Sequence, residues 1–127
     1  MSYNLVFKKG GVEILSLGVA HPLSAAFNNK PYDKFEPMPR TAFADAMHDL
    51  IRQDESLEDD YEIMEKMLAY TPKQDELWDL VSRLNEIKKE RKAIANAKVM
   101  LHMLEMIWEE GAYYYDKSNM GLEWAVI

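Results

Sequence analysis

Two periodicities divide the chain. Near its ends the apolar side chains fall in short extended stretches, while between residues 40 and 110 they recur every three or four positions. The first spacing belongs to strands, whose side chains alternate between faces, and the second to helices. Residues 1–20 predict a β-hairpin around Gly10-Gly11, because both central residues of a type I′ turn need positive φ. That register sets Lys8 opposite Glu13, Phe7 opposite Ile14 and Val6 opposite Leu15. Both faces of the ribbon are largely apolar, so it is expected to be sandwiched or extended by other strands.

After Gly18, the stretch His21 to Phe27 predicts a short helix with Pro22 at its first position, where a missing N–H costs nothing. Residues 28–39 predict a loop restricted by Pro31, Pro37 and Pro39 and pinned by Tyr32 and Phe35.

The helical region, 40–110, reads as three segments. The first spans Arg40 to Gln53, with Phe43, Met47, Leu50 and Ile51 on one face. The second starts at a Ser56 cap, carries Glu58, Asp59 and Asp60 in its first turn, and ends near Tyr70. The third is long: Thr71-Pro72-Lys73-Gln74 is a capping box, and no proline or glycine follows until Gly111, read as a left-handed C-cap. Such a helix measures about 58 Å, against a diameter of roughly 36 Å for a compact chain of this length. It must bend at its polar middle or project and be covered by another subunit. Met100, Met103 and Met106 span much of its circumference, which predicts burial on several sides, part of it between subunits.

Residues 112–127 predict a second hairpin, with Tyr113-Tyr114-Tyr115 and Leu122 to Ile127 as strands about a turn at 117–121. The expected fold is therefore α+β in a single domain, 1–127: an antiparallel sheet from the two terminal hairpins, packed with three helices of which the third is long.

Composition narrows the function. The chain has 127 residues, 48% of them hydrophobic, and no cysteine, so it has material for a core but no thiolate nucleophile or disulfide framework. It shows neither a signal-peptide pattern nor an apolar run long enough to span a bilayer, and reads as cytoplasmic with no membrane partner. Its net charge of −7 is unevenly spread: residues 41–82 hold twelve acidic and three basic groups, and residues 83–98 hold two acidic and six basic. The basic side chains are distributed around their helix and interrupted by Glu86 and Glu90, which argues against direct nucleic-acid binding. They are expected to meet the acidic block, within the fold or across a subunit boundary.

Candidate chemistry is sparse. Asp45 with His48, and His102 with Glu105, each place two metal-ligand types at i, i+3 on a helix, but the paired Glu-x-x-His of di-metal bundles is missing. No cofactor is implied. With no Gly-x-Ser-x-Gly elbow and no phosphate-binding glycine loop, the reading is a non-enzymatic protein-interaction module that partners itself and an unknown protein. Asp59, Asp60, Glu62, Tyr113 and Tyr115 are its candidate contact residues. One alternative is an acidic inhibitor or DNA mimic, of the kind phages and mobile elements encode, that blocks a nucleic-acid enzyme. Another is an oligomer that sequesters a small molecule at an interface lined by Tyr113, Tyr114, Tyr115 and Trp124.

Overall fold

The structure is a computed structural model that describes residues 3–70, 73–114 and 121–127, the last four residues of the middle stretch by their backbone alone. It is an α+β fold. The elements in order are β1 (Asn4–Lys9), β2 (Val12–Gly18), α1 (Pro22–Ala26), β3 (Glu36–Pro37), α2 (Thr41–Tyr70), α3 (Gln74–Tyr114) and β4 (Leu122–Val126). The strands form one antiparallel sheet in the order β2-β1-β4-β3. The N-terminal ribbon is thus extended by the C-terminal strand, which pairs with β1.

Gly10 and Gly11 hold φ of 60° and 77°, the positive values of the expected tight turn. Lys9 faces Val12 and Lys8 faces Glu13, but the register then shifts, so that Phe7 faces Leu15 and Leu5 faces Leu17. Ile14 is the extra residue of this bulge. The pairings of Phe7 with Ile14 and of Val6 with Leu15 are corrected accordingly. The physical reason lies in the alternation of strand side chains. Without the shift Leu5 would oppose Ser16; with it, Leu5, Phe7, Leu15 and Leu17 share the face that packs on the helices. On that face β4 adds Leu122, Trp124 and Val126, all buried. Phe27, which follows α1, lies 5.8 Å from Phe7 and edge-on to Trp124 at 5.2 Å, ring centre to ring centre.

The 28–39 loop runs along the free edge of β4. Val126 N–H donates to the Pro31 carbonyl at 2.8 Å, Asp33 N–H to Val126 at 3.0 Å and Met38 N–H to Leu122 at 2.9 Å. Main-chain bonds therefore hold it, while the Tyr32 side chain stays exposed rather than pinning it. Phe35 does make a contact, with the Lys8 ammonium 4.1 Å from its ring centre. Trp108 ties α3 to this loop, its indole N–H donating to the Met38 carbonyl at 2.8 Å and its ring meeting Phe43 edge-on at 6.0 Å.

The two helical segments expected at 40–53 and from Ser56 are one helix of 30 residues. A serine inside an exposed helix costs only about half a kcal/mol relative to alanine, and neither proline nor glycine interrupts this stretch, so a cap signal is not enough to break it. Ala42, Phe43, Ala46 and Leu50 of α2 are buried, and the half-buried Leu57 is the last of its side chains packed against the core, so beyond Leu57 the helix has left it. From Ile51 to Tyr70 it rises roughly 30 Å. Alongside it runs the first half of α3, a helix of 41 residues and so about 62 Å. Arg91 meets Asp54 and Lys88 reaches Tyr61, so rising numbers on α2 meet falling numbers on α3 and the pair is antiparallel. Leu84 and Ile87 are buried in this two-helix arm. The long helix projects, and part of its cover comes from its own chain.

Thr71 and Pro72, expected to cap α3, lie outside the described residues. At the other end α3 does not stop at Gly111 but continues to Tyr114, so Tyr113 and Tyr114 are helical where an extended strand was expected. Among the described residues no helix is long and apolar enough to cross a membrane.

Candidate functional site

Asp45 and His48 lie exposed on α2, and His102 is exposed and Glu105 half-buried on α3. Among the described residues no three histidines, cysteines or carboxylates gather in a way that would hold a metal ion. Asp59, Asp60 and Glu62 are exposed on the arm. Tyr113 sits in the last turn of α3, and Tyr115 lies outside the described residues. Trp124, taken as a possible interface residue, is 2% exposed at the centre of the core, where β4 pairs with β1. It lines no surface site.

The acidic and basic blocks do meet, through few contacts. Arg91 donates from Nε to Asp54 Oδ1 at 3.0 Å and from Nη2 to Asp54 Oδ2 at 3.3 Å, with Glu58 3.9 Å away. Those hydrogen bonds hold the Asp54 carboxyl below its ordinary pKa and raise that of the guanidinium. Arg83 turns instead to Glu86 and Glu90 on its own helix, at 3.1 and 3.3 Å. Asp59, Asp60 and Glu62 form no ion pair among the described residues.

Two concave surfaces flank α3. A cleft of about 630 Å³ opens between α1, α2 and α3, with Ala25, Leu57 and Ile94 among its apolar walls and Asp49, Arg52, Gln53, Ser56 and Glu90 as its polar groups. Its polar groups largely satisfy each other: Gln53 donates to Asp49 at 2.7 Å, and Arg52 lies 3.6 Å from the same carboxylate. The second surface is a groove of about 460 Å³ between β2 and α3, lined by Ile14, Leu15, Asn96, Val99, Met100, Met103, Leu104 and Ile107. Asn96 is the one polar side chain in that lining. The rest of the lining is aliphatic or methionine side chains, so the groove is apolar along nearly all of its length.

Besides scattered positions such as Val12, Val19 and Tyr32, large apolar side chains are exposed together in two regions of the helices. At the far end of the arm Ile63, Met67, Tyr70 and Trp78 are between 51% and 86% exposed. Along the second half of α3, Val99, Met103 and Met106 are 57–62% exposed, whereas the sequence spacing predicted burial on several sides. The helix buries one stripe, Ile94, Ala97, Leu101 and Leu104, and among the described residues nothing covers its opposite side. The bulged Ile14, which joins the groove, depends on a register shift that residue types alone do not signal. The chain matches no protein-family model, no curated protein and no solved structure at a significant level.

Proposed function

We propose that the chain is a non-enzymatic protein-interaction module that associates with copies of itself and uses the α2–α3 arm to engage another protein. The observation that supports this reading is the placement of large exposed apolar side chains. Tyr70 at the end of α2 and Trp78 in the first turns of α3 stand toward the tip of the arm, where they contribute nothing to the core, and Tyr70 shares a shallow surface with Ile63. Aromatic side chains set among polar ones are the usual anchors of protein interfaces. The test is recovery of a partner from the cells the protein comes from, with the intact chain and a Tyr70→Ser/Trp78→Ser variant as paired baits. A partner retained by the intact chain and lost by the variant supports the arm as the contact; one retained equally by both removes it.

A second reading is favoured by the unneutralised acidic face of α2. Asp59, Asp60 and Glu62 are free of ion pairs among the described residues, as a surface imitating a phosphate array would be. An inhibitor of this type binds a basic cleft of a nucleic-acid enzyme, and its association weakens steeply as salt rises, because exposed charges are screened beyond about 10 Å. Reversing the three carboxylates together to lysine slows such association and leaves folding intact. Binding that survives both high salt and the triple reversal excludes it.

A further inference from the structure

The exposed side of α3 is complementary to itself. Lys92, Asn96, Val99, Met103, Met106 and Glu110 follow one another at alternate steps of four and three, which places them along one line of a helix, and all six are exposed. The line starts with a cation, passes through an apolar middle and ends with a carboxylate. Lys89 and Glu109, also exposed, reinforce the two ends. Neither Lys92 nor Glu110 has an ion pair among the described residues. The groove beside this stripe is closed on its other side by Ile14 and Leu15 of β2, an edge strand with no neighbour on its outer side among the described residues.

We infer that this stripe and the adjoining groove are the surface on which a second copy of the chain docks, α3 against α3, antiparallel about a two-fold axis near residue 101. Two-fold symmetry makes the same patch face itself in reverse. Lys92 of each copy then stands opposite Glu110 of the other, Asn96 opposite Met106, and Val99 opposite Met103. Both ends are neutralised at once. A parallel arrangement of the same helices would set lysine beside lysine and glutamate beside glutamate, so charge selects the antiparallel form.

The area agrees with a second copy as the occupant. Ile14, Val99, Met103 and Met106 together expose on the order of 400 Å², within the range of about 300 to 600 Å² for the largest apolar patch on a monomer. With the half-buried Met100 and Ile107 and the charged ends included, two copies bury on the order of 1,000 Å², the lower bound for a specific interface. The dimer is therefore expected to be reversible, with methionines that adapt to each other's shape.

The inference rests on the self-association part of the proposed function and names its surface. The test is light scattering on the full chain over a range of concentrations, with Lys92→Glu, Glu110→Lys and an equimolar mixture of the two variants. The intact chain should rise from 14.8 kDa toward twice that mass. Each reversal should weaken association roughly tenfold or more, because symmetry doubles every like-charge contact. The mixture should regain dimer as a heterodimer. One variant carries glutamate at both ends of the stripe and the other carries lysine at both, so each end of the mixed pair again joins a lysine to a glutamate. Oxidising a mixture of Val99→Cys and Met103→Cys, in a chain with no cysteine of its own, should trap that dimer, while Trp78→Cys at the arm tip should not. A chain that dimerises but ignores both reversals, and cross-links no better at 99 and 103 than at 78, overturns this surface and leaves self-association standing. A chain that stays monomeric throughout overturns both, and the arm is then judged by its own paired baits. All these positions are exposed, so circular dichroism of every variant should match the intact chain.

Discussion

Arg91 forks onto Asp54 across thirty-seven residues of sequence, Nε to Oδ1 at 3.0 Å and Nη2 to Oδ2 at 3.3 Å, where the two-helix arm leaves the sheet. The guanidinium fits the carboxylate with two parallel bonds, which fixes the rotation of one helix against the other as well as their separation. A lysine at this position keeps the charge but cannot make the fork. Arg91→Lys is therefore expected to leave the sheet intact and to raise hydrogen exchange in the arm, over residues 51–70 and 74–90, relative to the core. Equal exchange in both proteins would show that the apolar seam alone orders the arm.

The same pair gives a pH dependence whose sign is fixed. Its hydrogen bonds with Arg91 depress the Asp54 pKa in the folded chain, so the unfolded chain takes up a proton first as the solution is acidified. The contribution is fully present above the ordinary aspartate range, and it is lost as pH falls below about 4 toward the depressed folded value. Asp54→Asn should lower the melting temperature at neutral pH. It should also lose less stability than the intact chain on acidification below that range. Both side chains are partly exposed, so salt should reduce the difference. Parallel thermal melts of the two proteins across the acid range check the sign: an Asn variant whose stability falls with the same slope would remove Asp54 as a source of it.

What the sequence revealed and what it concealed have separable causes. Gly10-Gly11 marked the first turn because positive φ at adjacent residues leaves few alternatives, and both glycines adopt it. Lys8 opposite Glu13 followed, but beyond that pair the register depended on which residues β1 and β2 together present to helices distant in sequence. Leu17, 6% exposed, reaches the core only because Ile14 bulges. Ser56 with its following acids resembles a helix start whether or not the chain turns, and only the partner helix, through Arg91, reveals that it does not. Gly111 misled in the same way, since glycine in a helix costs about 1 kcal/mol and a long helix tolerates it. The chemistry was no easier to find. Spacing offered Asp45 with His48 and His102 with Glu105, whereas the exposed line from Lys92 to Glu110 acquires meaning only once the opposite side of α3 is known to be buried.

The turn allows a direct measurement of backbone preference. Gly11 holds φ of 77°, and a side chain placed there would meet nothing within 4 Å. Gly11→Ala therefore tests conformation without steric clash, and it should destabilise by about 1 to 2 kcal/mol. Gly11→Asn should recover part of that loss, because asparagine enters the left-handed region more readily. Urea denaturation of the three proteins gives the order; alanine as stable as glycine would mean that the turn relaxes to another type.

Ser24 in α1 is fully buried, and its hydroxyl has no hydrogen-bond partner among the described residues. Its carbonyl accepts from the Lys30 ammonium at 2.7 Å, an interaction of the backbone that any residue at this position can keep. Removing an unpaired buried hydroxyl relieves a desolvation penalty, so Ser24→Ala should stabilise by about 1 kcal/mol. A loss of stability on urea denaturation would show that the hydroxyl is satisfied in solution, with a bound water as its partner.

Leu101 and Met103 stand two residues apart on α3, yet substitution by aspartate should separate them completely. Leu101 is 1% exposed in the core cluster, and a charge there has neither water nor a counter-ion. Leu101→Asp is expected to lose several kcal/mol, enough to abolish cooperative unfolding in a domain whose total stability is about 5 to 15 kcal/mol. Met103 is 59% exposed, and an aspartate in its place remains hydrated. Met103→Asp should therefore unfold within about 0.5 kcal/mol of the intact chain in dilute solution. Circular dichroism during urea titration distinguishes the two. A Leu101→Asp protein that unfolds cooperatively at the ordinary midpoint would contradict the packing of α3 on the sheet, and a Met103→Asp protein that fails to fold would mean that this side of α3 is covered within the single chain.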